Sequence, residues 1–140
     1  KRRMEVIYSD CNVIVYDDFA HHPTAIKTTL EGLRAKVGSE FILAIIEPRS
    51  ATMRMGVHGH NLASSVLSAD QVMWYQNSAV NWDMADLSQD APLSCSVFND
   101  LGKLIEMTRS SIQEKTHIVI MSNGGFEGFH RKLLKSFDRN

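Results

Sequence analysis

The chain has 140 residues, of which 44% are hydrophobic and 22% are charged, and its formal net charge is −1. The length suits one domain with its own hydrophobic core, and the balanced charge argues against a broad basic surface for nucleic acid or anionic membranes. Cys11 and Cys95 lie far apart and no apolar run reaches the roughly 20 residues of a membrane span, so the sequence indicates neither a disulfide-rich scaffold nor a transmembrane segment. We expect a cytoplasmic domain and, because Lys1-Arg2-Arg3 opens the chain without a Met, a fragment of a longer protein.

Continuous apolar runs predict the strands. Four strong runs cover residues 13–16, 41–46, 72–75 and 118–121, and two weaker ones cover residues 5–8 and 96–98. The strong runs do not alternate between apolar and polar residues, which is typical of parallel strands that helices cover on both faces. The weaker run at residues 5–8 is expected to pair in a hairpin with the strand that begins at residue 13.

Apolar residues at helical spacing lie between these runs. The clearest set is Ile26, Leu30, Leu33 and Val37, with Pro23 suited to the first turn and Gly38 to the C-terminal stop. Three further sets predict a short helix along Leu62, Ala63, Val66 and Leu67, one along Leu101, Leu104, Ile105 and Ile112, and one along Phe129, Leu133, Leu134 and Phe137. Strands that alternate with helices predict an α/β layered sheet with right-handed crossovers.

Polar segments follow three of the predicted strands, at residues 17–23, 47–56 and 122–126. In an open α/β sheet, ligands bind beyond the carboxyl ends of the strands. We therefore expect these segments to form one site. The aperiodic stretch at residues 76–92 is long for an α/β connection, and this predicts a functional or mobile loop.

The first segment has two interpretations. Asp17 and Asp18 can bind ribose hydroxyls or a metal, and His21 and His22 can donate to a ligand or stack against it. Alternatively, Asp18 and His22 cap the N-terminus of the helix that follows.

The second segment holds two arginines. Arg49 and Arg54 can clamp carboxylates or phosphates, or they can be ordinary charges on a solvated loop.

His58 and His60 suggest metal ligation, but no third ligand follows by spacing, so polar residues at a helix start are the better interpretation.

The third segment, Ser122-Asn123-Gly124-Gly125, joins the last strand to the C-terminal helix. Its glycines allow a ligand to approach the backbone, or they serve a tight turn that needs positive φ. The segment matches neither the dinucleotide-binding nor the phosphate-loop pattern.

Residues 17–24 read Asp-Asp-Phe-Ala-His-His-Pro-Thr, which resembles the Asp-Asp-Tyr-Ala-His-His-Pro-Thr signature of Mur ligase C-terminal domains that act on muramate. Residues 47–56 and 121–126 are similar to the members of this family that ligate peptides. The muramate–alanine ligases instead show Gln-Pro-His-Arg-Tyr and Gly-Ala-Gly-Asp at these two places. Phe19 stands where Tyr is commoner, and Ala51 stands where we expect Asn.

The resemblance implies a Rossmann-like three-layer sandwich around a mostly parallel sheet of about six strands with one antiparallel edge strand. It also implies that the chain is one domain of a three-domain enzyme whose central ATPase and N-terminal UDP-binding domains are separate. That enzyme phosphorylates the carboxylate of UDP-N-acetylmuramate with ATP and Mg²⁺, the latter held mainly by the central domain. The amine of the tripeptide L-Ala-γ-D-Glu-meso-diaminopimelate then attacks the acyl phosphate, as a step of peptidoglycan recycling. In the alternative within the same family, a UDP-N-acetylmuramate–L-alanine ligase, free L-alanine is the acceptor.

The resemblance assigns site residues in two groups. The ATP contacts are Arg3 at the hinge, Asp17, Asp18, His21 and His22. The peptide contacts are Arg49, Thr52, Arg54, Ser122, Asn123, Gly124 and Gly125. The isolated domain is expected to have no ligase activity. The resemblance also implies that the whole enzyme is cytoplasmic and comes from a Gram-negative bacterium.

Two alternatives of other classes stay open on the residues alone. One is a metal-dependent phosphoesterase that uses Asp17, Asp18, His21, His22 and one of His58 and His60. The other is a non-catalytic binding module of Rossmann type.

Overall fold

The computed structural model describes residues 3–48, 59–77, 84 and 93–138. Its strands are β1 (Glu5–Ser9), β2 (Val13–Asp18), β3 (Phe41–Ile46), β4 (Gln71–Tyr75), β5 (Ser94–Phe98) and β6 (Thr116–Met121). Its helices are α1 (Pro23–Val37), α2 (Gly59–Ser65), α3 (Leu101–Ser111) and α4 (Phe129–Phe137), and a 3₁₀ turn (Phe126–Gly128) precedes α4. All six predicted strands and all four predicted helices are confirmed.

The strands form one six-stranded sheet in the order β1-β2-β6-β3-β4-β5. β1 pairs antiparallel with β2, and every other pairing is parallel. This confirms the predicted sheet with one antiparallel edge strand. Met121 lies opposite both Asp18 and Ile46, and Ile46 lies opposite Trp74. The carboxyl ends of β2, β6, β3 and β4 are therefore level, and we call this edge of the sheet the rim.

Successive residues of the central strands point to opposite faces of the sheet and bury two separate cores. In β3, Ile46 packs with Ile26 and Leu30 of α1, whereas Ile45 packs on the other face with Phe129 and the rest of the α4 side. Helices thus cover both faces, as the continuous apolar runs predict. The result is a three-layer α/β sandwich.

Helix α1 has the predicted ends. Pro23 occupies its first turn, where the missing N–H costs nothing, and Gly38 ends it at φ 67° with its N–H donating to Arg34 O. The Arg34 guanidinium donates to the carbonyls of Gly38 and Glu40 and to the Asp70 carboxylate at 2.8 Å. One arginine therefore holds the end of α1 against the start of β3.

Two helix ends differ from the prediction. α2 ends at Ser65, so Val66 and Leu67 follow the helix; Val66 is buried, whereas Leu67 is 55% exposed. Ile112 is the C-cap of α3 and lies just beyond its last turn. Within the described ranges no helix has the length and apolar character needed to cross a membrane.

The edge opposite the rim carries a hydrogen-bonded chain of two buried side chains, Tyr16 and His117, and the partly exposed Glu40. His117 Nε2 donates to Glu40 Oε1 at 2.7 Å, and its Nδ1 lies 2.9 Å from Tyr16 Oη. The hydrogen bond from His117 lowers the pKa of Glu40, and burial raises the pKa of Tyr16. These contacts join β2, β3 and β6 at their amino ends beside a cavity of about 80 Å³.

Candidate functional site

The end of β2 brings a carboxylate against the last helix. His130 Nε2 on α4 donates to Asp17 Oδ1 at 2.9 Å, and both side chains are mostly buried. Asp17 is a predicted site residue, but sequence reasoning missed His130. The contact joins residues 113 positions apart, and no local spacing signals it.

Asp18 uses both carboxylate oxygens on backbone groups. Its Oδ1 accepts the N–H of Ala20 at 2.8 Å, and its Oδ2 accepts the N–H of Met4 at 2.9 Å. The residue is buried, and its own carbonyl accepts the N–H of Ser122. Asp18 therefore ties the entering chain, the end of β2 and the end of β6 together at the rim.

The alternative interpretation, in which Asp18 and His22 cap α1, is wrong. Asp18 bonds Ala20, which lies before the helix, and His22 occupies the N-cap position but its side chain makes no capping hydrogen bond. The first turn of α1 also lacks an acidic residue. The helix N-terminus thus keeps its partial positive charge at the rim.

The two histidines lie together at the exposed side of the rim. Their ring centroids are 4.4 Å apart, and His21 Nδ1 lies 2.8 Å from the carbonyl oxygen of Phe19. The Phe19 side chain is 48% exposed, which is unusual for an aromatic ring of this size. This corner therefore presents three rings to solvent beside the start of α1.

A buried carboxylate connects the ends of three adjacent strands. Glu47, directly after β3, is fully buried. Its Oε1 accepts from Ser122 Oγ at 2.9 Å after β6, and its Oε2 accepts from Asn77 Nδ2 at 3.0 Å after β4. Sequence reasoning placed Glu47 in a motif but gave it no role, because burial of a charge cannot be recognised from the sequence.

The glycines of the Ser122–Gly125 turn do not adopt the positive φ that a tight turn would require of them. Gly125 has φ −77°, and a Cβ built on it would meet no atom within 4 Å. Positive φ occurs instead at Phe126, Glu127 and Gly128. Within the described structure, neither the space around Gly125 nor its backbone conformation requires a glycine at this position. Its open side is available to a ligand.

An aromatic cluster supports this turn from below. Phe126 is fully buried, and its ring lies 5.3 Å from the ring of Tyr75 and 4.8 Å from that of Phe129. Tyr75 Oη donates to Glu127 Oε1 at 3.1 Å. Burial, followed by the charge of Glu127, raises the pKa of Tyr75 to about 12. The rim turn is therefore anchored to the end of β4.

Of the remaining predicted site residues, the structure describes Arg3 but not the three predicted peptide contacts after β3. Arg3 is exposed at the start of the described chain, next to Met4, whose backbone Asp18 holds. The predicted peptide contacts Arg49, Thr52 and Arg54 lie outside the described residues, as do most of residues 76–92.

The described residues offer little to a metal ion. No group of three or more His, Cys, Asp or Glu side chains is placed to hold one among them; His58 and the side chain of His60 lie outside the description. Asp18 and Glu47 already accept hydrogen bonds at both oxygens. The geometry gives the phosphoesterase interpretation no support.

The fold and the rim define a member of a known class. Residues 2–124 match the family described as Mur ligase, glutamate ligase domain, and the chain belongs to this family of Mur ligase C-terminal domains. The resemblance found in residues 17–24 is therefore confirmed.

Individual relatives give a narrower comparison than the family. The chain is 44% identical over 135 residues to the UDP-N-acetylmuramate–L-alanyl-γ-D-glutamyl-meso-2,6-diaminoheptandioate ligase of Haemophilus influenzae, which covers 96% of this chain and 30% of that protein. A murein peptide ligase structure from Psychrobacter arcticus matches all of the chain and 30% of its own length, at TM-score 0.88 and 41% identity. A solved domain from a ligase of the same kind from Haemophilus ducreyi matches 96% of the chain and 98% of its own length, at TM-score 0.81 and 40% identity.

Other family members are less similar. A UDP-N-acetylmuramate–L-alanine ligase from Leuconostoc mesenteroides is 31% identical over 128 residues, covering 88% of the chain and 29% of that protein. The MurF ligase of Thermotoga maritima, solved with ADP, shares the fold at TM-score 0.65 and 15% identity, covering 99% of the chain and 30% of its own. The chain thus spans about a third of the length of the full ligases it matches.

Proposed function

We propose that this chain is the C-terminal domain of an ATP-dependent ligase that joins L-Ala-γ-D-Glu-meso-diaminopimelate to UDP-N-acetylmuramate. The observation that carries the proposal is the 44% identity over 96% of the chain to a ligase named for these substrates. The lower identity to a muramate–alanine ligase, 31%, favours the tripeptide over free L-alanine as the acceptor.

ATP would supply the phosphoryl group that converts the muramate carboxylate into an acyl phosphate, which the amine of the tripeptide then attacks. A domain at the edge of such a site contributes by positioning the reactants and by excluding water that would hydrolyse the intermediate. The rim carboxylates of Asp18 and Glu47 accept hydrogen bonds at both oxygens and do not fit Mg²⁺. We therefore assign the metal to the central domain of the proposed enzyme.

The β2 corner fits the nucleotide. The N-terminus of α1 has no side-chain cap and no acidic residue in its first turn, which favours a nearby anion. His21 and His22 directly precede this helix. Asp17, whose side chain pairs with His130 of α4, and the exposed Arg3 are the further proposed contacts for ATP at this corner. Asp18 would act by holding that entering chain, through Met4, rather than by touching the ribose.

The β6 corner fits the peptide. The turn after β6 exposes Asn123 and leaves Gly125 open to a close backbone approach. Arg49 and Arg54, with Thr52, are the proposed contacts for the carboxylates of the tripeptide, because guanidinium groups bind carboxylates through two parallel hydrogen bonds. The described turn and these residues would then share one substrate.

The test is a ligation assay on the longer protein that carries this domain. With ATP, Mg²⁺ and UDP-N-acetylmuramate, we expect ligation of the tripeptide and little ligation of free L-alanine. Faster ligation of L-alanine would instead favour the muramate–alanine ligase. The 140-residue chain alone is the control: it should not turn over ATP, and robust turnover would contradict the assignment to one domain of a cytoplasmic three-domain enzyme.

A further inference from the structure

The carboxylate of Glu47 is an unexpected group to find inside the rim. Burying a carboxylate is costly unless hydrogen bonds replace its hydration, and apolar residues often replace buried charges without loss of stability. In the described part of the chain its side-chain partners are two neutral donors, Ser122 and Asn77. These side-chain contacts are not needed to pair the strands, since the backbone N–H of Glu47 already donates to Met121 O at 3.0 Å.

The Ser122 hydroxyl transmits the effect of this carboxylate to the rim turn. Ser122 Oγ lies 2.9 Å from Glu47 Oε1 and 3.4 Å from Gly124 O, and it accepts the N–H of Gly124 at 3.1 Å. A hydroxyl has a single proton. The nearer and charged acceptor takes that proton, which leaves a lone pair of Ser122 Oγ for the Gly124 N–H. Glu47 therefore fixes the orientation of the hydroxyl that closes the turn.

The second oxygen of Glu47 extends the same control across β3. Asn77 follows β4 and is 7% exposed, so its contact with Glu47 Oε2 is also protected from water. One rigid carboxylate thus sets the distance between the chain that leaves β4 and the turn that leaves β6. Side chains that hold a binding group in this way raise its precision without touching the ligand.

We propose that Glu47 is a positioning residue for the acceptor peptide: through Ser122 it orients the Ser122–Gly125 turn against the peptide backbone. This inference rests on the proposed function, and it assigns Glu47 to peptide binding rather than to ATP binding. The ATP contacts proposed above lie at the β2 corner. A defect at Glu47 should therefore separate the two substrates.

The experiment compares three single variants of the full ligase. Glu47→Gln keeps the shape of the side chain but turns one oxygen into a donor, so either Ser122 or Asn77 loses its acceptor. Ser122→Ala removes the hydroxyl that links Glu47 to Gly124. Ser65→Ala is the matched control, because Ser65 is also buried but donates to Leu62 O within α2.

We expect the tripeptide KM to rise about tenfold in both rim variants, the equivalent of one charge-assisted hydrogen bond, with the ATP KM unchanged. Ser65→Ala should change neither KM. The double variant of Glu47 and Ser122 should raise the tripeptide KM by less than the product of the two single effects, because the two residues share the hydrogen bond that orients the turn.

Thermal unfolding of each variant separates positioning from stability. A folded variant with an unchanged tripeptide KM would overturn the inference, as would an equal rise in the KM values of tripeptide and ATP. Absence of ligation by the unmodified ligase is a different result: it would overturn the proposed function and this inference with it.

Discussion

His130 Nε2 donates a hydrogen bond to Asp17 Oδ1 at 2.9 Å and so joins the last helix to the end of β2 at the rim. The edge of the Phe126 ring faces the His130 imidazole, with their centroids 6.1 Å apart. Asp17 is thereby held by a group whose own position depends on the aromatic cluster under the rim turn. The end of β2 and the turn after β6 are connected through this pair.

Replacing His130 with Phe should keep the packing of the ring but remove the donor to Asp17. We expect the free energy of unfolding of the 140-residue chain to fall by about 1 kcal/mol, the usual value of one hydrogen bond. Urea unfolding measures it. His22→Phe is the matched control, since the His22 side chain makes no capping hydrogen bond, and it should change stability by no more than about 0.5 kcal/mol. Equal losses in the two variants would contradict a role for the pair.

Asp18→Asn should lower the free energy of unfolding of the 140-residue chain. An amide has one oxygen where the carboxylate has two, so the N–H of Ala20 or that of Met4 loses its acceptor. We expect a loss of about 1–3 kcal/mol in urea unfolding, the cost of an unsatisfied buried group. If stability is unchanged while the ATP KM of the full ligase rises, Asp18 contacts the nucleotide directly, as the family resemblance implies.

Two glycines should respond in opposite ways to alanine. Gly125 has φ −77° and open space at its Cβ position, so Gly125→Ala should retain or slightly gain stability, by up to about 1 kcal/mol, while weakening peptide binding. Gly38 has φ 67°, so Gly38→Ala should lose about 1 kcal/mol with no effect on the peptide KM. Urea unfolding and steady-state kinetics check the pair. A stability loss at Gly125 as large as that at Gly38 would show that its backbone, and not a ligand, requires glycine.

Tyr75 should give the chain a specific loss of stability in alkali. Its pKa is about 12 in the folded chain against an ordinary value of 10.0, so the folded state binds the proton more tightly. The resulting stabilisation is fully present below pH 10 and is lost as the pH rises towards 12. Tyr75→Phe should flatten the fall in unfolding free energy over this range.

Glu127→Gln provides the comparison for Tyr75. It keeps the phenol but removes a charge that is a smaller cause of the shift than burial. The phenolate absorbance of Tyr75 should therefore appear at lower pH than in the unmodified chain, while remaining above 10. A variant that titrates like the unmodified chain would contradict the contribution of Glu127.

Much of the fold could be predicted from local patterns. The run Phe41–Ile46 has no polar residue, and such a run is stable only where helices cover both faces of a parallel sheet. Pro23 and Gly38 bound α1 because one lacks an N–H and the other accepts positive φ. The end of α2 was less predictable, since Leu67 continues the apolar spacing but is exposed after the helix has ended.

The site was only half predictable. The polar segments after β2, β3 and β6 were expected at one edge, and the level strand ends bring Asp18, Glu47 and Ser122 there. The partner of each side chain was not predictable: Asp18 binds backbone groups instead of capping α1, and Glu47 is buried between Ser122 and Asn77. Each of these contacts depends on the register of strands that are distant in sequence.

The sequence by itself determined the layered α/β class, the element order and the family, because hydrophobic periodicity and the Asp-Asp-Phe-Ala-His-His-Pro-Thr signature are local properties. Only the tertiary structure decided which polar groups at the rim are buried and with whom they pair. His130 meets Asp17, and Glu47 meets Ser122, because parallel strands and a packed helix bring them within hydrogen-bond distance. The free energy of a buried charge depends on those neighbours, and no pattern of residue types along the chain specifies them.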